Sequence, residues 1–215
     1  MSSGRDFDFG DLIYEASRIV VENWRLLLLL LVTIAAAYTV MDKISGRANL
    51  GVGTVVSVYA QYLFLEKVFG VGERGRRRYR SMFGSNFLSG LAIVGGLVLL
   101  GFPGVYLAAR WSAASSLVVV DEHSATASLS ASWRATRGRW LPMFWAYTVT
   151  GVLWLALLVA TALIGASIGA GKTLWWTGVI LQLSSTMFIL TNWVIGAAAY
   201  RIVGGSSDSL EVVFA

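Results

Sequence analysis

The stretch GASIGAGKT, residues 165–173, has the most recognisable chemical spacing in the chain, A-x-x-x-x-G-K-T. In a nucleotide-binding P-loop such residues follow a β-strand, and backbone N–H groups at the start of a helix hold the phosphates. Here a long apolar segment precedes the stretch, and no acidic residue follows an apolar strand to hold magnesium. We therefore expect a short glycine-rich loop in which Lys172 ends a membrane span, and no nucleotide cofactor.

Arg110 is the next candidate for a chemical role, because this charged residue lies inside an apolar run. It follows Pro103 by ~10 Å and precedes Asp121 by ~16 Å along a helix, which places it within the hydrocarbon layer. A charge there must face the protein interior or a wet cavity. Two interpretations stay open: a structural clamp, or a contact to a substrate anion or lipid phosphate. The uncharged polar side chains that could contact the guanidinium are Tyr59, Gln61, Tyr62, Tyr106, Gln182 and Asn192.

Asp121, Glu122 and His123 follow this apolar run and suggest an acid/base pair or a metal site. Successive side chains point apart, however, and the single histidine of the chain supplies too few ligands. The chain also has no cysteine, which excludes a thiolate site and a cysteine nucleophile. We expect a polar stop after the span, no metal and no enzymatic activity.

A basic run, ERGRRRYR, is the densest cluster of charge. It could contact anionic headgroups, or it could be only the charge signal of a cytoplasmic loop. Nothing else in the chain favours nucleic-acid binding. The candidate lipid contacts in this run are Arg76, Arg77, Arg78 and Arg80.

Composition shows which elements must position these residues. The 215 residues are 56% hydrophobic and only 13% charged, whereas soluble domains carry about 25% charged residues. This composition predicts an all-α polytopic membrane bundle in a single domain, residues 1–215. Six apolar segments are long enough to be spans: about 26–41, 50–65, 87–102, 104–120, 141–168 and 174–200.

The distribution of Lys and Arg orients these spans. With the N-terminus inside, inner segments hold most of the 17 basic residues, and the outer loops hold Lys43, Arg47 and Lys172. Short cytoplasmic loops retain positive charge. We therefore expect a bacterial inner-membrane protein with both termini cytoplasmic.

Amphipathic periodicity predicts interfacial helices over about 8–24 and 124–138. A third apolar face precedes the third span, in RRYRSMFGSNF. The chain is therefore expected to contain three helical hairpins, each preceded by an interfacial segment. Gly165 and Gly169 form G-x-x-x-G, which permits close helix approach and leaves a homo-oligomer open.

The stretch from Phe102 to Trp140 resembles the six-span YciC-like membrane proteins and the related membrane domain of some glycerophosphodiester phosphodiesterases. The pattern that carries the resemblance is P-G-x-Y, an arginine within a span, then L-x-x-S-W and T-x-G-x-W. Besides Arg110, it matches Pro103, Gly104, Tyr106, Ser132, Trp133, Gly138 and Trp140. The resemblance implies a six-span fold and no phosphodiesterase chemistry, because that domain does not occur in this sequence.

These observations favour a non-enzymatic membrane protein. We expect its basic cytoplasmic face to contact anionic lipid or a protein partner in membrane or envelope maintenance. The alternative is a small transporter or channel whose anionic solute or lipid meets Arg110.

Overall fold

The computed structural model describes residues 8–44, 48–71, 78–167 and 175–214. Within these ranges the chain is helical and contains no β-strand. The expected all-α class is therefore confirmed for this part of the chain. The helices are α1 Phe9–Ile44, α2 Ala48–Phe69, α3 Tyr79–Leu100, α4 Phe102–Arg110, α5 Ala114–Val120, α6 Ala125–Ala135, α7 Trp140–Ser167 and α8 Trp175–Phe214.

Four stretches of helix are long and apolar enough to cross a membrane. They are Phe9–Met41, Tyr79–Leu99, Trp140–Ser167 and Thr177–Val203. In α7 only 6% of the most apolar window is buried inside the protein, and Val98 and Leu99 of α3 are 81% and 77% exposed. Apolar surface of this extent needs lipid around it. The length and composition of these helices agree with the expected membrane class.

The interfacial segments before the first and the third predicted spans are continuous with those spans. α1 contains both its amphipathic part and its apolar part, with non-helical dihedral angles at Asn23 between them. α3 begins at Tyr79, eight residues before the span boundary expected at Phe87. Of the three interfacial segments, within the described residues, only the one after α5 forms a helix of its own, α6. Ser124 caps the N-terminus of this helix by accepting from the N–H of Ala127.

The fourth predicted span is not one helix. α4 has nine residues and α5 has seven, and a turn at residues 111–113 separates them. The six-span count thus stays a prediction, since α2 and the α4–α5 pair are not among the four long apolar stretches.

α3 and α4 form the close hairpin that the sequence GFPG predicts. Gly101 turns the chain with a φ of 71°, a backbone conformation that favours glycine. A Cβ on Gly104 would lie 2.6 Å from the backbone nitrogen of Leu97, and one on Gly96 would lie 2.7 Å from the nitrogen of Gly104. The two helices therefore touch through their backbones, which explains two glycines of this segment.

An ion cluster joins four helices at one end of the bundle. Arg201 of α8 donates to Glu15 at 2.8 Å and to Glu22 at 3.4 Å, both on α1. It also donates to the carbonyl of Val68 on α2. Next to it, Tyr200 donates to Asp121 at the end of α5 at 2.8 Å. The four helix ends that meet here are those the charge distribution predicts to be cytoplasmic.

Candidate functional site

Arg110 ends α4 and is only 4% exposed. Its guanidinium carbon lies 4.2 Å from the ring centroid of Trp133 on α6. A desolvated cation over a tryptophan ring is worth about 2 kcal/mol or more. Its Nε is buried and has no hydrogen-bond partner among the described residues. The charge is therefore held by an aromatic ring rather than by a carboxylate.

The aromatic residues of the family-like pattern meet beside this arginine. The ring centroid of Tyr106 lies 5.8 Å from that of Trp133 and 5.0 Å from that of Trp140. Trp111 lies 6.2 Å from Trp133 on its other side. The pairs of Tyr106 with Trp133 and Trp140 are close to edge-on, a favourable arrangement for aromatic rings, and its pair with Phe102 is stacked. The pattern thus builds one packed cluster between α4, α6 and α7.

The break between α4 and α5 frees a backbone carbonyl that α6 satisfies. The N–H of Ala114 bonds to the carbonyl of Trp111 at 3.0 Å, so it does not reach Arg110. Instead, the hydroxyls of Ser132 and Thr136 donate to the Arg110 carbonyl at 2.9 and 3.1 Å. Ser132 and Thr136 are fully buried. We call these two hydroxyls and the carbonyl the α6 clasp.

A second carbonyl freed by the break faces α8. A Cβ built on Gly196 would lie 2.7 Å from the carbonyl oxygen of Ser112, so only glycine lets α8 pass this close. Ser112 itself contacts Met143 of α7 through its hydroxyl, at 3.1 Å from the sulfur. The break is therefore enclosed by α6, α7 and α8.

A cavity of about 580 Å³, which no motif in the sequence predicts directly, lies between α2, α3, α4, α5, α7 and α8. Its wall contains a hydrogen-bonded chain in which Asn86 donates to Gln61 at 2.8 Å and accepts from Ser115 at 2.9 Å. Trp111 and Ser112 line it, but Arg110 does not. Small residues such as Gly104, Ala108, Ala114 and Gly151 in its wall were the only hint in the sequence.

Most of the expected partners of Arg110 are engaged elsewhere. Gln61 bonds to Asn86, and Asn192 donates to the carbonyl of Phe188 on its own helix at 2.7 Å. Tyr59 packs edge-on against Tyr79, with 5.9 Å between the ring centroids. Tyr106, which was also expected to contact Arg110, belongs to the aromatic cluster around this arginine, because α4 places it one turn earlier.

The basic run is divided by the fold. Arg76 and Arg77 lie outside the described residues. Arg78 is buried and donates to the Val119 carbonyl and to Glu122, which joins the start of α3 to the end of α5. Arg80 is exposed. Among the described members of this run, only Arg80 presents its charge to a ligand.

A different set of arginines is free of acidic partners. Arg134, Arg137 and Arg139 lie at the end of α6 and in the turn before α7, and no salt bridge joins them to an acid in the described residues. Gly138 takes a φ of 79° in this turn, and the N–H of Arg139 bonds to the carbonyl of Thr136 at 3.1 Å. The glycine of the T-x-G-x-W pattern thus fixes the two arginines that flank it.

The two acidic residues after α5 have side-chain partners, whereas the Nδ1 atom of His123 is buried without a hydrogen-bond partner among the described residues. Asp121 accepts from Tyr200, and Glu122 pairs with Arg78. The backbone N–H of His123 bonds to the carbonyl of Leu117. Within the described residues, no three ligating side chains come together to hold a metal ion.

The described residues contain only part of the two glycine motifs, the P-loop-like stretch and the G-x-x-x-G pattern. Lys172 and Gly169 lie outside the described residues. A Cβ on Gly165 would lie 4.0 Å from a methyl group of Thr177, so this glycine faces α8 of the same chain. The homo-oligomer contact stays a prediction.

Comparison with protein-family models, with curated proteins and with solved structures finds no match for this chain. The resemblance to YciC-like proteins therefore stays an expectation, and function is argued from the geometry.

Proposed function

We propose that this chain is a non-enzymatic, six-span protein of the bacterial inner membrane that binds anionic lipid, or a protein partner, through its basic cytoplasmic face. The observation that carries the proposal is that four arginines of the predicted cytoplasmic segments, Arg80, Arg134, Arg137 and Arg139, have no acidic partner in the described residues. Each Lys or Arg near an anionic surface adds about 1 kcal/mol of binding free energy.

The aromatic residues near these arginines support a membrane-surface role. Trp133 on α6 is 37% exposed and Trp145 in the second turn of α7 is 52% exposed. Tryptophan is enriched where hydrocarbon meets headgroups. α6 therefore combines the apolar anchor and the basic charge of an interfacial helix.

The proposed topology has support from the ion cluster. Arg201, Glu15 and Asp121 come from three separate predicted inner segments, and they meet at one end of the bundle. In the proposed arrangement, α2 is the second crossing. The α4–α5 pair is the predicted fourth crossing, but the ring centroid of Phe102 of α4 lies 5.2 Å from that of Phe144 in the second turn of α7, so the α3–α4 turn lies toward the end of the bundle where α7 starts. Both termini then lie in the cytoplasm.

Vesicle binding tests the proposal. Purified protein in nanodiscs or mild detergent is offered vesicles that contain phosphatidylglycerol or only phosphatidylcholine. We expect association with the anionic vesicles alone, and weakening as salt is raised, because exposed charges are screened within ~10 Å at 0.1 M. The variant Arg80→Gln/Arg134→Gln/Arg137→Gln/Arg139→Gln should lose this association. Equal binding to neutral vesicles would refute the proposal.

The cavity of about 580 Å³ favours a second candidate, a transporter or channel for an anionic solute or lipid. Its volume is within the ~300–1,000 Å³ of ligand sites. Arg110 stands outside its lining, so a solute there would meet Asn86 and Ser115 first. Liposome flux lost in Arg110→Leu, with folding preserved, would favour this candidate over the first.

A further inference from the structure

Two grooves adjoin each other where α1 begins beside α7. One, of about 430 Å³, is lined by charged residues and the start of α7, with Asp8, Arg137 and Arg139 on its wall. The other, of about 530 Å³, is lined by apolar faces of α1, α7 and α8. Phe9 lines both, so the polar groove and the apolar groove meet at this side chain.

One face of α7 lines both grooves, so that together they form one continuous surface. Leu141, Trp145 and Val149 are four residues apart on α7, and residues at this spacing share a helix face. The first two line the polar groove, and Val149 lines the apolar one. All three are between 46% and 52% exposed. A molecule on this surface would therefore have one charged end and a long apolar end.

Charge specifies the occupant of the polar end. Arg137 and Arg139 bring two positive charges, and Asp8 brings one negative charge. Of these, neither arginine has a salt-bridge partner among the described residues. A phosphodiester with one negative charge would neutralise the group, and arginine forms paired hydrogen bonds to phosphate oxygens. The Asp8 carboxylate could then accept from a headgroup hydroxyl.

The apolar end fits a hydrocarbon chain. Its α1 wall extends from Phe9 to Leu31 across the kink at Asn23. Its α8 wall extends from Met187 to Ile195, a distance of ~12 Å along that helix. Half of a bilayer's hydrocarbon layer is about 15 Å thick. The groove therefore has the length to hold an acyl chain that enters from the leaflet on this side.

We propose that these two grooves form a binding site for one anionic glycerophospholipid, with its phosphate between Arg137 and Arg139 and an acyl chain between α1, α7 and α8. This inference rests on the proposed function, and it names the lipid class and the site. It adds a stoichiometric site to the diffuse attraction of the basic face.

Native mass spectrometry of the detergent-solubilised chain tests the headgroup end, with phosphatidylglycerol as the probe. Arg137→Gln/Arg139→Gln should lower the affinity for the first bound lipid about 30-fold, given the usual contribution of two surface arginines to binding free energy. The matched control Arg18→Gln/Arg25→Gln removes the same charge at exposed positions of α1 that line neither groove and should change this affinity less than about threefold. Phosphatidylcholine should bind weakly to every variant, and inorganic phosphate should not displace the lipid.

A second pair of variants tests the acyl end. Val149→Trp fills the apolar groove and should lower the affinity for the first lipid about tenfold, by removing burial of several methylene groups. Leu153→Trp adds the same bulk on α7 at a 65% exposed position outside the grooves and should leave affinity unchanged. Both residues are partly lipid-facing, so gel filtration and thermal unfolding can verify that each variant folds.

The outcomes separate this site from the broader proposal. If both double arginine variants lower the affinity for the first lipid equally while vesicle binding remains selective for anionic lipid, the assignment of this site is wrong and the proposed function stands. If wild-type protein shows no preference for anionic vesicles, both fail. Equal effects of the two tryptophan variants, or displacement by inorganic phosphate, would overturn the acyl-chain assignment.

Discussion

Removal of the α6 clasp should destabilise the bundle in a non-additive way. Ser132 donates to the Arg110 carbonyl at 2.9 Å, and the single hydroxyl proton of Thr136 is shared between this carbonyl at 3.1 Å and the carbonyl of Ser132 at 2.8 Å. A hydrogen bond between membrane helices is worth about 0.6 kcal/mol on average. Because one hydroxyl remains in each single variant, Ser132→Ala and Thr136→Val should each lower the free energy of unfolding by about 0.6 kcal/mol.

The double variant should cost more than the sum of the single ones. It leaves a buried carbonyl without a donor, because the helix break has already removed its partner within the chain. An unpaired buried acceptor costs about 1–3 kcal/mol. We therefore expect a loss of about 2 kcal/mol, which is a coupling between neighbouring residues that share one partner.

Equilibrium unfolding in mixed detergent and SDS, followed by tryptophan fluorescence, measures these differences. Ser130→Ala is the matched control, since its exposed hydroxyl bonds only within α6 to the carbonyl of Thr126. It should change stability by less than about 0.5 kcal/mol. If the double variant loses no more than the control, the clasp does not hold the helix break, and our account of Ser132 and Thr136 is wrong.

The remaining predictions concern packing and charge elsewhere in the bundle. Gly104→Ala should lower the free energy of unfolding by about 1–3 kcal/mol through overpacking. The control Gly90→Ala should not, because a Cβ at Gly90 would meet no atom of another element within 4 Å. Similar unfolding midpoints for the two variants would contradict the backbone contact between α3 and α4. Arg201→Gln should cost about 1.5–3 kcal/mol, because two carboxylates lose a charged partner, and unchanged protease resistance would argue against the ion cluster. Trp133→Leu should cost about 2 kcal/mol by uncovering the Arg110 charge, and Trp133→Phe should recover part of it, as measured by thermal unfolding.

The sequence predicts the helical class and the positions of the long apolar segments, because these depend on local composition. Apolar runs have to be helical in lipid, where every backbone polar group needs a partner. It also predicts the turn at Pro103 and the short helix after Ser124. Local chemistry decides each of these features, and no distant residue is needed.

The features that sequence analysis missed depend on distant partners. Trp111 and Ser112 contain no helix breaker, and the break there is held by hydroxyls on α6 and by Gly196 on α8. Arg78 looked like a surface charge because its partner Glu122 is 44 residues away. The available arginines, such as Arg137, became distinguishable from the engaged ones only in three dimensions.

Three of the four arginines that carry the proposed function are not the ones that the sequence singled out. A basic inner face was expected from the charge count. The sequence pointed to the run around Arg78, whereas the fold leaves Arg137 and Arg139 free beside an apolar groove. The T-x-G-x-W pattern contained the useful signal, since its glycine fixes the turn between them.

The ion cluster has a consequence for how the chain is made. Glu15 emerges from the ribosome early, and its partner Arg201 follows 186 residues later. At ~5–20 residues per second, this interval is on the order of 10–40 s. During that time α1 has its carboxylates but lacks its last neighbour. The bundle can close only when translation of α8 reaches its basic residue, so assembly is completed by a contact between the earliest and the latest helix.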